Sequence, residues 1–246
     1  MRGSATAQYR QWVPRPDRSG PFIAYPVSVS GYDGVLFDHD GVLVELCSES
    51  VLHAATRQAF RDVGVTAPSQ EDIAALAIRV SPEQLTAVAD RYDVNADRLW
   101  ERREAHIERR LRAETRAGRK APHEDVDALA ALSLPLGVVS NNQTRIVEFV
   151  LNYHGLADRF GTIHAREPTR QSLHRKKPAP WHVEQAVAAL DCTDPLYVGD
   201  SESDVRAGQR AGIDVAFLRR DHNNDRRLDV SPTYDIESLR RLATLV

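Results

Sequence analysis

The sequence predicts a doubly wound α/β fold, a parallel sheet with helices on both faces and an all-helical insertion. Three observations lead there. Short apolar runs recur, three of them ending in aspartate, serine or glycine, segments of helical period lie between them, and the stretch 48–119 contains no such run. The first run, Val35-Leu36-Phe37, sits between Gly34 and Asp38 and has the unbroken apolar character of a strand buried on both faces. Runs of the same kind follow at Leu136-Gly137-Val138-Val139, Leu196-Tyr197-Val198 and Val215-Ala216-Phe217-Leu218. Amphipathic segments at 124–132, 144–154, 181–190 and 204–211 separate or flank them. Strand and helix in alternation imply a parallel sheet. A last short strand is expected at Tyr234-Asp235-Ile236, followed by a helix over 237–245.

The insertion reads as four helices, over 51–63, 70–78, 82–92 and 96–115. Ser81-Pro82-Glu83 supplies an N-cap serine and a proline at the first helical position. The expected organisation is therefore a core of residues 31–47 and 120–246, with 48–119 as a small helical cap. Residues 1–30, rich in Pro, Gly, Ser and Arg and without periodicity, predict a disordered tail.

Composition narrows the functional classes. A net charge of −3 and a pI near 6.3 propose neither nucleic acid nor an anionic membrane as partner. No stretch approaches the roughly 18 apolar residues of a membrane span, and no export signal is evident. Cys47 and Cys192 form no CxxC pair and no disulfide framework, which fits a reducing, cytoplasmic setting. Of the 32 basic residues, all but Lys120, Lys176 and Lys177 are arginine, so a lysine in a motif position carries unusual weight.

The chemistry gathers where the apolar runs end. The first ends at Asp38-His39-Asp40-Gly41, the second at Ser140-Asn141-Asn142, and another at Gly199-Asp200-Ser201, with Asp204 just beyond. Ligands of open parallel sheets bind beyond the carboxyl ends of the strands. Four carboxylates brought together there repel unless a cation neutralises them, and a hard, oxygen-preferring ion such as Mg²⁺ suits them. Asp38 is then placed to attack phosphorus, and Asp40 to protonate the leaving oxygen and activate water. Ser140 and the amides of Asn141 and Asn142 suit a phosphate oxygen ahead of the next helix, and Lys177 would balance the charge.

Taken in order, Asp38-His39-Asp40-Gly41-Val42-Leu43, Ser140, Lys177-Pro178 and Gly199-Asp200-Ser201-Glu202-Ser203-Asp204 resemble the four motifs of the haloacid dehalogenase superfamily, closest to its phosphoglycolate-phosphatase-like branch. The resemblance spans 31–246. It implies a Rossmann-like core, a helical cap between the first two motifs and a magnesium-dependent aspartyl-phosphate mechanism acting on a small phosphorylated metabolite. By position it implies Asp38 as nucleophile and metal ligand, and Asp40 as acid/base whose carbonyl also reaches the metal. Ser140, Asn141 and Lys177 would hold phosphate, Asp200 would ligate magnesium and Asp204 would support it. Asp40 favours phosphoryl transfer over dehalogenation. Val42, where many phosphatases of the family carry threonine, leaves a phosphomutase as the alternative, with a non-catalytic binding module behind it.

Other features read as structural. The arginines at 102, 103, 109, 110 and 112 alternate with Glu101, Glu104, Glu108 and Glu114, the pattern of a solvated helix face. Lys176 is expected to be solvated, His39 to face the core side of its loop, and Trp100 and Trp181 to pack.

Overall fold

The computed structural model describes residues 31–246, so the tail expected over 1–30 lies outside them. Strand β1 (Gly34–Phe37) opens the sheet, and four helices follow before the next strand. These are α1 (Glu49–Asp62), α2 (Gln70–Ala77), α3 (Pro82–Arg91) and α4 (Ala96–Arg116). The chain then runs through β2 (Leu136–Gln143), α5 (Thr144–Tyr153), β3 (Thr162–Arg166), α6 (Trp181–Leu190), β4 (Pro195–Gly199), α7 (Glu202–Arg210), β5 (Asp214–Leu218) and β6 (Tyr234–Ile236). The strand order is β3-β2-β1-β4-β5-β6 and every pairing is parallel. β1 is therefore central, and the order reverses beside it, which is where such sheets open a ligand crevice.

Side chains alternate between the two faces of the sheet and build a core on each. Val35, Phe37, Val138 and Val198 pack with Ile146, Val147 and Val150 of α5. Leu36, Val139, Tyr197 and Phe217 pack on the other side, with Val183 and Val187 of α6 and Val205 of α7. The inserted helices close around a cluster of their own that includes Phe60, Ile73, Leu76, Leu85, Leu99 and Trp100. Their ends follow local chemistry. Ser69 accepts from the amide of Asp72 at 3.0 Å, and Asn95 accepts from that of Arg98 at 2.8 Å. Ser81 and Gln84 form a reciprocal capping box with Pro82 at the first turn.

Five expectations are corrected. The segment at 124–132 is a 3₁₀ helix, Glu124–Ala131, and the C-terminal helix is a 3₁₀ helix, Leu239–Thr244. β3 was not expected, because Thr162-Ile163-His164-Ala165-Arg166 mixes polar and apolar side chains on a half-buried edge strand. β2 runs on through Ser140, Asn141 and Asn142, with a register shift against β3 between Val139 and Gln143. Trp100 is buried, whereas Trp181 is 39% exposed with the Arg175 guanidinium 4.4 Å above its ring. Cys47 and Cys192 are unpaired, and no helix among the described residues is long and apolar enough to cross a membrane.

Candidate active site

Phe37 pairs with Val138 on one side and Val198 on the other, so the residues that follow these three positions share one edge of the sheet. Asp38, Ser140 and Asp200 meet there, and all three are buried. Two glycines make the approach possible. Gly41 has φ 82°, and a Cβ on it would collide with the Asp200 carboxylate, while a Cβ on Gly199 would collide with Asp204.

Lys177 is the hub. Its Nζ lies 2.8 Å from Asp38 Oδ1 and 2.6 Å from Asp204 Oδ1, and donates to Tyr197 Oη at 3.0 Å and to the Val139 carbonyl at 3.3 Å. Burial alone would lower its pKa, but Asp204 and Asp38 outweigh that and hold the ammonium above its usual range. The Asn141 side chain is occupied with the same residue. Its Oδ1 accepts from the Lys177 amide at 2.7 Å, and its Nδ2 donates to the Lys177 carbonyl at 3.2 Å. The side chain thus fixes Lys177, and it is the main-chain amide of Asn141 that the sequence assigns to a phosphate oxygen. The Ser140 hydroxyl accepts from the Asn142 amide at 3.1 Å. Asp204 is satisfied on both oxygens, by Tyr197 Oη and Lys177 on one and by the Ser201 amide and hydroxyl on the other.

Asp40 stands apart from this cluster. One carboxylate oxygen is paired with Lys120, whose side chain is entirely buried, and the other accepts from Asn142 Nδ2 at 2.8 Å. Burial favours the neutral acid, yet the Lys120 ammonium holds the carboxyl well below its usual range. His39 is fully buried beneath the loop, its Nδ1 3.4 Å from Asp40 Oδ2 and neither ring nitrogen hydrogen-bonded.

The family model described as haloacid dehalogenase-like hydrolase matches residues 35–218, from the first strand to the fifth. The chain belongs to the haloacid dehalogenase-like hydrolases. The pyrophosphatase PpaX of Oceanobacillus iheyensis is 25% identical over 220 residues, 86% of this chain and 95% of that protein. A phosphoglycolate phosphatase of Yersinia pseudotuberculosis is 33% identical over 95 residues, 39% of this chain and only 40% of its own length. Among solved structures, CbbY of Rhodobacter sphaeroides in complex with xylulose-(1,5)-bisphosphate superposes with a TM-score of 0.65 at 20% identity, covering 86% of this chain and 96% of that one. That likeness establishes the shared Rossmann-like fold.

In this haloacid dehalogenase-like hydrolase the donor set fits a hard divalent cation. Asp38, Asp200 and Asp204 are buried, and each offers an oxygen within 4.8 Å of the others. Among the described residues one ammonium, that of Lys177, is ion-paired within this group, to Asp38 and Asp204. Burial, with Asp204 and Asp200 adding to it, pushes the Asp38 carboxyl well above its usual range despite the pull of Lys177. Oxygen ligands left short of positive charge are what Mg²⁺ requires.

Two residues that the sequence did not mark hold Asp200 in place. His222 Nε2 lies 2.6 Å from Asp200 Oδ2, and Asn223 Nδ2 donates to the Asp200 carbonyl at 2.7 Å. Both sit on the β5–β6 loop, which Arg220 ties back to the Val42 carbonyl at 3.0 Å. Asp200 is thus clamped by its side chain and by its backbone. Partners of this kind orient ligating carboxylates, and their loss costs about 10- to 100-fold in metal affinity. His222→Asn is therefore expected to weaken Mg²⁺ binding about tenfold in titration calorimetry. Unchanged affinity would remove His222 from the site.

The hydrolase site opens into a cavity of about 1050 Å³ that reaches from Asp38 and Ser140 to Ile78, Trp100 and Ile107 of the helical insertion. Its wall corrects two expectations about charge. Arg103 and Glu104 do not belong to a solvated face but are buried, and Glu104 is held between the guanidiniums of Arg103 and Arg166. Lys176 is not solvated either, since its ammonium donates to the Val80 carbonyl at 2.8 Å.

Proposed function

We propose that this hydrolase is a magnesium-dependent phosphatase that cleaves the phosphoric monoester of a small metabolite through an aspartyl-phosphate on Asp38. The observation that carries the reading is the Asp38–Lys177–Asp204 cluster beside Asp200, with a second aspartate, Asp40, two residues further along the chain. Asp38, Asp200 and Asp204, the last mainly in support, are the residues that would hold Mg²⁺. When bound, the ion screens the repulsion between the Asp38 carboxylate and the anionic phosphoryl group.

In the first step an Asp38 oxygen attacks phosphorus, the ester P–O bond breaks, and the departing alkoxide takes a proton from Asp40. In the second, Asp40 withdraws a proton from water, whose oxygen attacks the same phosphorus. The bond to Asp38 breaks, phosphate leaves, and both carboxyl groups return to their starting states. Ser140 and Lys177 hold phosphoryl oxygens throughout. Asn141 keeps the Lys177 backbone in place.

Residues 48–119 serve in this reading as a cap whose closure excludes water. Lys120 begins the return from α4 to the core. A movement of α4 would shift its ammonium relative to Asp40, and Asp40 must part from that charge to deliver a proton. The curated relatives, a pyrophosphatase and a phosphoglycolate phosphatase, support a phosphate-ester or anhydride substrate.

Phosphate release from pyrophosphate, 2-phosphoglycolate, sugar monophosphates and sugar bisphosphates, with Mg²⁺ or with excess chelator, tests this directly. Release is expected with Mg²⁺, absent under chelation and restored on adding the metal back. A purified, folded protein that releases phosphate from none of them would sink the proposal.

A further inference from the structure

Lys176 and Lys177 are adjacent, yet their side chains leave in opposite directions. Lys177 reaches Val139 and Tyr197 in the sheet, whereas Lys176 reaches Val80, just beyond α2 in the helical insertion. The catalytic cavity is therefore lined by an ammonium at each end. The end at Lys177 is balanced by carboxylates, and the end at Lys176 is not. Arg103, Arg166 and Lys176 line it together, and the one buried carboxylate among them is Glu104, already shared by the two guanidiniums.

The guanidiniums are largely committed, Arg103 through three and Arg166 through four of five N–H groups. Arg103 donates to the carbonyls of Leu76 and Ala77, and Arg166 to the carbonyls of Asn141 and Glu167 and to Ser172 Oγ. They supply charge but few free donors. Lys176 differs, because among the described residues its ammonium has the Val80 carbonyl as its one hydrogen-bond partner and keeps N–H groups for a ligand. Burial, joined by Arg166 and Arg103, pushes it down to about 8. An anion placed there would relieve that repulsion. Arg79, exposed on the same cavity with φ 56° and no ion-pair partner among the described residues, adds a further cation at the wall.

We propose that the substrate carries a second anionic group, a carboxylate or another phosphate, and that Lys176 binds it while the scissile phosphoryl group lies at Asp38. This rests on the phosphatase reading and narrows it. The end of the substrate remote from the chemistry is charged, and the binding energy it supplies comes from the seam between insertion and core.

Titration calorimetry in MgCl₂ with non-hydrolysable ligands separates the two ideas. Propylphosphonate presents one anionic end, 3-phosphonopropionate adds a carboxylate, and propane-1,3-bisphosphonate adds a second phosphonate. The wild-type protein is expected to bind at least one doubly anionic ligand about tenfold or more tightly than propylphosphonate. The tighter of the two names the second group. Lys176→Met is expected to bring the ratio to within about twofold of unity, and Lys176→Arg to keep most of it. A lysine that only tied α2 to the core would alter the melting temperature and leave the ratio alone. Should Lys176→Met fail to fold, Arg79→Asn removes a surface charge at a left-handed position that asparagine tolerates, and is expected to cut the ratio severalfold. Equal wild-type affinities for the three ligands, or a preference that survives both substitutions, would overturn the proposal. Preserved discrimination without phosphate release from the matching esters would instead reject the phosphatase reading and leave the second anion site standing.

Discussion

Asp38→Asn is expected to lower phosphate release by about 10⁴-fold or more while leaving the fold intact. The substitution keeps the shape of the side chain. An amide oxygen can still accept from the His39 amide, now at 2.7 Å, and from Lys177, now at 2.8 Å. What it cannot do is present an anionic oxygen to phosphorus. The stability consequence is equally specific. In the folded state without metal, the Asp38 carboxyl titrates well above its unfolded value, chiefly through burial and then through Asp204 and Asp200. A group whose folded pKa is raised in this direction binds protons more tightly in the native state, so its ionisation removes stability as the pH rises between the two values. At neutral pH in chelator, Asp38→Asn should therefore melt no lower than the wild-type protein. With Mg²⁺ the order should reverse, because the variant loses a ligand. Single-turnover release and thermal melts at both metal conditions read these outcomes. Activity above about one per cent of wild type would place the nucleophile elsewhere.

The part of this site that could be read from sequence is the part built on strand ends. Asp38, Ser140 and Asp200 follow runs buried on both faces, whose character is visible locally, and the topology of parallel sheets does the rest. The inserted helices were legible for the same local reason, with Ser81 and Pro82 marking a boundary that the structure keeps. What stayed hidden is long-range. Lys120 lies eighty positions from Asp40 and His222 twenty-two from Asp200, and nothing in their neighbouring residues announces either partner. Arg103 and Glu104 illustrate a subtler limit. On α4 they match a solvated, alternating-charge face, and only the approach of Arg166 from the edge strand β3 turns them into a buried network. β3 itself was missed, so its arginine could not be placed. The scarcity of lysine is a signal that all three lysines share. Lys120 pairs with Asp40, Lys177 joins Asp38 to Asp204, and Lys176 lines the same cavity.

Lys177→Met should be the most damaging single change to the metal-free fold. It leaves Asp38 and Asp204 buried without their shared cation, and removing one partner of a buried charge pair costs about 3–5 kcal/mol. Because the folded pKa of Lys177 lies above its unfolded value, the stabilisation it gives is complete at neutral pH and fades only as strong alkali carries the pH through the folded value. The loss should appear as a lower urea midpoint at pH 7 with the slope unchanged. Two further variants identify its origin. Lys177→Met combined with Asp204→Asn removes a cation and an anion together, so it should recover part of the loss, as expected for contacting residues that do not add independently. Lys177→Arg keeps the charge, but its planar fork cannot meet Asp38, Asp204, Tyr197 and the Val139 carbonyl from one atom, so it should restore stability further than activity. Mg²⁺ should rescue stability in the methionine variant, since the ion would meet carboxylates that the lysine no longer neutralises. An unchanged urea midpoint in chelator would mean that Asp38 is already protonated in the resting protein. The charge balance argued for the site would then fail at its centre.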